Sequence, residues 1–341
     1  MYVGDYLARR CVYGADEIGL VDVSGDEPVR FTYGDLDRLA NRAAAWLQGR
    51  GVAAGDRVGH LGLDRVEAFA LFFACCKMGA IYSPFSWRLH PREVAGLVER
   101  IEPAVTVWEP AGGIPATAEH LAAAGAPLVE LAEAAAGWAD ASDDPVANEA
   151  VTEETTACLL FTGGTTGLPK AAQISHRQIV WNTMNALQAD VLPTDTYLNI
   201  FPLFHTGGLF SFSVPLLIMG GTVVQPPVFD ADEVLALLPA LDVTVFAGVP
   251  TIFQMLTASP AWPDADLSGL RYCLSGGAPM PVPLIEQYAE EKGVVFRQGF
   301  GMTEFGPDVF SLSAEDSVRK AGSIGKPNYF VDARVIDPET G

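Results

Sequence analysis

Hydrophobic residues along the chain alternate between helical spacing and short runs of strand length. Helical spacing is clearest for the apolar set Leu36, Leu39, Ala40, Ala43 and Leu47. Thr32 and Asp35 lie directly before this set and have the spacing of a capping box, which predicts a helix that begins directly after Thr32. Apolar runs at 57–63, 80–83 and 104–108 predict strands that alternate with helices. This alternation predicts a mostly parallel sheet with helices on both faces.

The same alternation resumes after a stretch between 110 and 148 that is rich in Ala, Gly and Pro. Further strands are expected at 157–161, 197–201, 222–224, 243–247, 271–274 and 294–297, with helices between them. We therefore expect an α/β fold of two doubly wound units, 1–150 and 151–328. In the first unit, Asp64 is expected to cap the apolar helix 66–78. Ligands of such sheets bind beyond the carboxyl ends of the strands.

Composition and charge narrow the classes of partner. Hydrophobic residues make up 49% and charged residues 18%, as in a folded globular protein. Asp and Glu number 42 against 21 Lys and Arg, a formal net charge of −21, which argues against nucleic acid and anionic membranes as partners. The apolar stretches are too short to span a bilayer. Lysines are few, and solvated positions are expected for all of them except Lys170.

The five cysteines predict a reducing environment. They include no CxxC pair, and Cys75, Cys76, Cys158 and Cys273 lie in apolar runs. We expect these four to be small buried hydrophobic residues. The N-terminus lacks the charged-then-apolar order of a signal peptide, so a cytoplasmic location is predicted.

The segment Phe161–Lys170 combines three glycines, three threonines and one lysine directly after a predicted strand. Glycines let consecutive backbone N–H groups turn inward and form an anion-binding nest, and the hydroxyls and the ammonium group add donors. This composition predicts a phosphate-binding loop, although the spacing is not that of a P-loop. A flexible surface turn is the alternative.

Three further strand-to-helix turns carry residues with candidate chemical roles. In 201–208, His205 suits a general base, a gate or a packing residue. In 275–279, glycines permit a close backbone approach, as an ordinary turn also would. In 298–304, Phe300 offers a ring for base stacking, Thr303 a hydroxyl donor and Glu304 a hard oxygen ligand for Mg²⁺. A solvated carboxylate is the alternative for the last residue.

Phe161–Lys170 resembles the signature loop of the adenylate-forming superfamily, which includes acyl-CoA synthetases, aryl-CoA ligases, luciferases and peptide-synthetase adenylation domains. The turns at 201–208, 275–279 and 298–304 resemble its further motifs in the expected order, and so does 321–327, to which we assign no chemistry. The chain departs from the family in having Gly163 for serine, Ala171 for glycine and Phe300 for tyrosine.

The resemblance implies a large N-terminal domain with two αβ subdomains in a layered αβαβα core and a small β-barrel. It implies that 329–341 begin the barrel and that the family's C-terminal domain is absent. We therefore expect the 341 residues alone to bind nucleotide and to turn over slowly, if at all.

The resemblance also implies roles for individual residues. Nucleotide binding falls to Thr162, Gly163, Gly164, Thr165, Thr166, Gly167, Lys170, Gly277, Ala278, Pro279, Gln298, Gly299, Phe300, Gly301, Met302 and Thr303. Substrate binding falls to His205, Gly207, Gly208, Phe210, Phe246, Gly248, Val249 and Gly276. Catalytic roles fall to His205, Thr303 and Glu304, and Glu304 is also the metal ligand.

The expected activity is ATP- and Mg²⁺-dependent conversion of a carboxylic acid to an acyl-adenylate, followed by thioester formation with coenzyme A. An apolar pocket suits a fatty or aryl acid, and the absence of an acidic residue from Phe201 to Phe212 disfavours an amino acid. Three alternatives stay open: transfer to a carrier protein, specialisation for one half-reaction, and a non-catalytic nucleotide-binding module.

Overall fold

A computed structural model describes residues 3–111, 113–125, 127–163, 169–187, 190–337 and 339–340 and shows an α/β fold built on two β-sheets. Strands of the described part are β1 Ile18–Asp22, β2 Val29–Thr32, β3 Arg57–Leu61, β4 Ile81–Pro84, β5 Val105–Trp108, β6 Leu128–Glu130, β7 Thr156–Thr162, β8 Lys170–Ser175, β9 Thr196–Leu198, β10 Thr222–Gln225, β11 Val245–Gly248, β12 Tyr272–Gly276, β13 Phe296–Gly301, β14 Asp308–Leu312 and β15 Lys326–Pro327. The predicted fold class is confirmed.

Helices separate most of these strands. They are α1 Tyr6–Gly14, α2 Tyr33–Gly49, α3 Val66–Met78, α4 Pro91–Ile101, α5 Ala118–Ala123, α6 Leu131–Asp140, α7 His176–Ala186, α8 Ser213–Met219, α9 Ala231–Ala240, α10 Pro250–Ala258, α11 Val282–Lys292 and α12 Ala314–Arg319. Shorter turns are a π-helical turn at Gly207–Ser211 and 3₁₀ turns at Trp262–Asp264 and Thr303–Phe305. The stretch between 110 and 148, which is rich in Ala, Gly and Pro, contains α5, β6 and α6.

Both sheets combine strands from before and after residue 150. The larger sheet has the order β15-β14-β13-β12-β11-β9-β10-β1-β2, and the smaller has the order β6-β5-β3-β4-β7-β8. β1 pairs in parallel with β10, while β7 pairs in parallel with β4. Each sheet therefore contains strands from both sides of residue 150, and a division of the chain at that residue stays a prediction. Pairing is parallel except where β2, β8, β14 and β15 join.

Helix α3 lies in the core between the two sheets. Twelve of its residues are buried, and its core cluster includes Val58 of the smaller sheet and Val223 of the larger one. A helix that is apolar all round is stable only when it is covered on every side. The expected cap at Asp64 is wrong, because Arg65 is the N-cap residue and its side chain makes no capping bond. The Asp64 carboxylate instead accepts from the backbone N–H of Leu203 at 2.8 Å.

Helix α2 begins as its sequence predicts. Thr32 Oγ1 accepts from the Asp35 N–H at 3.0 Å, and the Asp35 carboxylate accepts from the Thr32 N–H at 2.9 Å. The solvated position expected for Lys77 is wrong, because this residue is only 1% exposed. Its Nζ lies 2.6 Å from a carboxylate oxygen of Asp5 and 2.7 Å from one of Asp37.

Other expectations concern the cysteines and the end of the chain. Cys75, Cys76, Cys158 and Cys273 are buried free thiols, as predicted. The described residues from 329 onward contain no strand, so the expected start of a β-barrel is not seen in that part of the chain. Within the described ranges, no helix combines the length and the apolar character that a bilayer span requires.

Candidate active site

Three neighbouring parallel strands end at one edge of the larger sheet. β11, β12 and β13 are adjacent, and their register pairs Gly248 with Ser275 and Gly276 with Gly299. Because the strands run in the same direction, the turns that follow them meet at this edge. The turns that were singled out in the sequence at 275–279 and 298–304 are therefore neighbours in space.

A first cavity, of about 270 Å³, lies between these turns. Its lining residues are Gly277, Ala278, Pro279, Gln298, Gly299, Phe300, Gly301, Gly322, Ser323 and Ile324. The first seven carry predicted nucleotide contacts, and the structure brings them together. The last three belong to the motif at 321–327, which the sequence analysis left without a chemical role. Its two glycines were the only signal for them.

Backbone geometry explains two of the glycines. Gly277 has φ +76°, in the left-handed region that side chains disfavour. A Cβ on Gly301 would lie 1.9 Å from the backbone oxygen of Pro307, so no other residue fits there without a shift of the backbone. Phe300 is 38% exposed and packs edge-on against Phe310 with a centroid distance of 5.9 Å. Its free face is available for stacking on a base.

Gln298 is held by its own neighbours. Its Oε1 accepts from the backbone N–H of Met280 at 3.2 Å, and its Nε2 donates to the backbone oxygen of Ser317 at 3.4 Å. The side chain thus fastens the turn at 277–280 to β13. This places Gln298 as a support of the first cavity, and its predicted contact with nucleotide stays a prediction.

A second cavity, of about 240 Å³, lies on the other side of the same turns. Residues with predicted roles that line it are His205, Gly207, Val249, Gly276, Gly277, Gly299, Gly301, Met302 and Thr303. The two cavities share Gly277, Gly299 and Gly301 as wall residues. A ligand that extended from one cavity into the other would pass only glycine residues at the junction.

Four residues predicted to bind substrate lie behind this wall. Phe210 and Phe246 are fully buried in the core, against Phe72 and Phe253 respectively. Gly208 and Gly248 are buried as well. These four residues belong to the packing that supports the cavity, and their predicted contact with substrate stays a prediction.

His205 is exposed, and one ring nitrogen is already bound. The backbone N–H of Gly207 donates to His205 Nδ1 at 3.0 Å. Partial desolvation lowers the pKa of His205, so the ring is neutral near pH 7 and carries its proton on Nε2. This geometry suits a hydrogen-bond donor at the cavity and disfavours the general base among the expected roles.

The Gly/Thr segment is described only at its base. Gly164, Thr165, Thr166 and Gly167 lie outside the described residues. Thr162 and Lys170 pair across the antiparallel strands β7 and β8, and Thr162 Oγ1 donates to the Lys170 backbone oxygen at 3.4 Å. A Cβ built on Gly163 meets nothing within 4 Å, and Arg100 donates to the Pro169 oxygen at 3.1 Å.

Glu304 lies close to the base of this hairpin. Residues of β8 approach the 3₁₀ turn Thr303–Phe305 to within 8 Å between Cα atoms. Gln178, in the first turn of α7 directly after β8, donates from Nε2 to the Glu304 backbone oxygen at 2.9 Å. The side chains of Glu304 and Lys170 are both exposed. The hairpin base and the turn that carries Glu304 are thus neighbours in the fold. The metal-binding role of Glu304 stays a prediction.

The described residues contain no group of three or more His, Cys, Asp or Glu that could hold a metal by itself. A magnesium ion at Glu304 would take one carboxylate oxygen here and complete its shell with phosphate oxygens and water. Mg²⁺ commonly binds nucleotides in this manner, so the donor set fits.

The α/β fold with two sheets matches the N-terminal domains of adenylate-forming enzymes. The family described as "AMP-binding enzyme" matches residues 7–341, and the chain belongs to that family.

Named proteins resemble the chain over most of its length. Feruloyl-CoA synthase from Amycolatopsis sp. is 37% identical over 308 residues, covering 90% of this chain and 61% of that protein. Indoleacetate–CoA ligase from Aromatoleum aromaticum is 34% identical over 325 residues, covering 92% and 64%. The inhibitor-bound N-terminal domain of FACL13 from Mycobacterium tuberculosis superposes with a TM-score of 0.89 at 30% identity, covering 96% of this chain and 83% of that one. The chain spans about three fifths of the length of the two curated relatives.

Proposed function

We propose that this chain activates a carboxylic acid with ATP, forming an acyl-adenylate and releasing pyrophosphate, and that the thiol of coenzyme A then displaces AMP. The observation that carries the proposal is the junction of the two cavities at Gly277, Gly299 and Gly301. An acyl group on one side and an adenosine on the other would meet there. Family membership and the two CoA-ligase relatives support the same reaction.

The chain's own residues supply positioning and charge. Phe300 would stack on the adenine, and Thr303 would donate to a phosphate at the junction. Lys170 would contribute a positive charge from the base of the hairpin, and His205 Nε2 would donate to a carboxylate oxygen. Glu304 would hold a magnesium ion, which would supply positive charge against the phosphates. Displacement at phosphorus needs such charge neutralisation more than covalent help from the protein.

The size of the second cavity supports an aromatic acid over a long fatty acid. Its volume of about 240 Å³ is below the roughly 300–1,000 Å³ that is typical of sites for drug-sized ligands. A single ring with a short side chain suits that space. Two of the most similar relatives carry the names of aromatic acids, feruloyl and indoleacetate.

Acid-dependent pyrophosphate release tests the first half-reaction. We expect release from ATP and Mg²⁺ with an aryl acid such as ferulate, and less with palmitate. Glu304→Gln should lower the rate at least tenfold, because the metal ligand loses its charge. Glu290→Gln, on the exposed side of α11, is the matched control and should leave the rate unchanged. If the chain binds ATP but no acid causes it to release pyrophosphate, the chain is instead a non-catalytic nucleotide-binding module.

A second measurement separates the remaining alternatives. The same acyl-adenylate is offered to coenzyme A and to a carrier-protein phosphopantetheine, and thioester formation is followed for each. Faster transfer to coenzyme A supports the proposal, whereas transfer only to the carrier protein, or to neither acceptor, supports the carrier-loading or half-reaction alternative. The expectation that the 341 residues alone turn over slowly is tested by comparing single-turnover with steady-state release.

A further inference from the structure

The wall of the second cavity contains a carboxylate that the sequence analysis did not single out. Asp308 is the first residue of β14 and lines the cavity together with Ser211 and Phe212. Its backbone N–H donates to Asn182 Oδ1 at 3.1 Å, which fixes the start of the strand against α7. The position of the side chain is therefore set by the fold.

Among the described residues, this carboxylate has one weak hydrogen-bond partner. Ser211 Oγ donates to Asp308 Oδ1 at 3.5 Å, the outer limit of a hydrogen bond. In the part of the chain that the structure describes, no Lys, Arg or His lies within ion-pair distance of it. Burial raises the pKa of Asp308 to about 7.

Asp308 is half-buried, and an acid in such a place lacks the donors or the cation that normally compensate the loss of water. A carboxylate removed from water is costly unless donors or a cation face it, and perturbed acids of this kind concentrate at functional sites. Much of the remaining wall is apolar or glycine: Phe201, Phe212, Val249, Leu274 and Pro307. An acid whose acyl group is only hydrocarbon would displace water from the cavity and leave the Asp308 oxygens without a further partner.

We propose that Asp308, with Ser211, is a specificity determinant of the acyl cavity and binds a hydroxyl or amino donor carried by the acid. This inference rests on the proposed function and names the substrate class more narrowly: a small aromatic acid with a polar hydrogen on its ring or side chain. Acids that carry an amino group are therefore candidate substrates again. The sequence analysis had disfavoured amino acids because no acidic residue lies between Phe201 and Phe212. Asp308 comes to the same cavity from a distant segment.

The test compares acids that differ only in the donor. Pyrophosphate release is measured with cinnamic acid, its 2-, 3- and 4-hydroxy isomers and 4-aminocinnamic acid, and kcat/KM is obtained for each. We expect at least one donor-bearing acid to exceed cinnamic acid by roughly tenfold or more, because a site built to hydrogen-bond a substrate rejects the analogue that lacks the group. Three positional isomers are used because the donor must reach a fixed carboxylate.

Two variants assign the preference to Asp308. Asp308→Val should abolish it and raise kcat/KM for cinnamic acid, whereas Asp308→Asn keeps an acceptor oxygen and should retain part of it. ATP binding by calorimetry, unchanged in both, shows that they fold. The control Asp332→Asn changes an exposed carboxylate and should leave every ratio as in the wild type.

The outcomes separate this inference from the proposed function. Turnover of cinnamic acid with no preference for any donor, and no change in Asp308→Val, overturns the inference and leaves the acid-activating function standing. Absence of pyrophosphate release with this panel and with all other acids overturns both. A preference that survives in Asp308→Val assigns it to another residue and also overturns the inference.

Discussion

At the scale of single residues, the ammonium group of Lys77 shows how a buried charge is tolerated. It is 1% exposed and lies between carboxylates of Asp5, just before α1, and Asp37, on α2. Asp5 also accepts from the Ala8 N–H at 3.2 Å, so the same carboxylate caps α1. One lysine thus ties two helices to the central helix α3, and its removal leaves two acids facing each other.

We predict that Lys77→Met lowers the free energy of unfolding by about 3–5 kcal/mol, because breaking a buried pair leaves uncompensated charge. Urea unfolding at pH 7 measures the change. The triple variant Lys77→Met/Asp5→Asn/Asp37→Asn should recover most of the loss, since Asn can still cap α1 and no buried charge remains. A single variant as stable as wild type would contradict this account.

At the scale of elements, Gln178 couples helix α7 to the turn that carries Glu304. Its Oε1 accepts from the Ser175 N–H at 2.9 Å, completing a capping box, while its Nε2 donates to the Glu304 backbone oxygen at 2.9 Å. Helix start, strand β8 and the 3₁₀ turn are thereby joined by one side chain. Gly306 follows the 3₁₀ turn and packs against Gln178, because a Cβ at Gly306 would lie 3.2 Å from Gln178 Cβ.

Replacing Gln178 by Glu separates these two tasks. Glu still completes the capping box but offers an oxygen, not an N–H, to the Glu304 carbonyl. We predict little loss of stability and a rise in KM for ATP of roughly threefold or more, since one hydrogen bond contributes about 0.5–1.5 kcal/mol. Steady-state pyrophosphate release at varied ATP measures it. The control Gln48→Glu, on an exposed part of α2, should change neither quantity.

At the scale of the whole molecule, buried titratable groups oppose one another. Burial lowers the pKa of His60 and of His176 to about 4 and raises the pKa of Asp64 and of Asp308 to about 7. Each histidine contributes stability that is present above pH 6.5 and is lost as the pH falls toward 4, because only the unfolded chain takes up the proton in that range. Each raised aspartate has the opposite dependence between about pH 4 and pH 7. The contributions of these two histidines and two aspartates to the pH dependence therefore oppose each other, and variants are needed to separate them.

We compare the free energy of unfolding of the double variant Tyr6→Phe/His176→Phe with that of the wild type at two pH values. When the pH is lowered from 7 to 5.5, we predict that this difference shifts in favour of the variant by about 1 kcal/mol, because the variant lacks the histidine. The shift is near the roughly 1.4 kcal/mol that one proton contributes per pH unit. The pair is changed together because Tyr6 Oη lies 2.8 Å from His176 Nδ1, so neither polar atom is left alone. Urea unfolding at both pH values, well above the sequence pI of about 4.5, measures it. A stability difference independent of pH would show that His176 takes up its proton over the same pH range in the folded and in the unfolded chain, which would contradict the account. The control is His120→Gln, at an exposed position.

Local sequence signals predicted local structure well. The capping box at Thr32, the glycine turns after β12 and β13, and the alternation of strands and helices all depend on neighbours in the chain, so they are visible without a fold. The candidate residues at 277–279 and 298–301 line one cavity for that reason: parallel strands that follow one another bring their ends to one edge.

The amino-acid sequence by itself determined the α/β class, the strand-end location of the candidate site and the burial of four cysteines, because periodicity and turn chemistry are properties of short segments. Tertiary structure alone decided that β1 and β2 join strands from beyond residue 190, that Lys77 is buried between two acids, and that Asp308 lines the second cavity. Each of these depends on which distant segments pack together, and no local pattern encodes that choice.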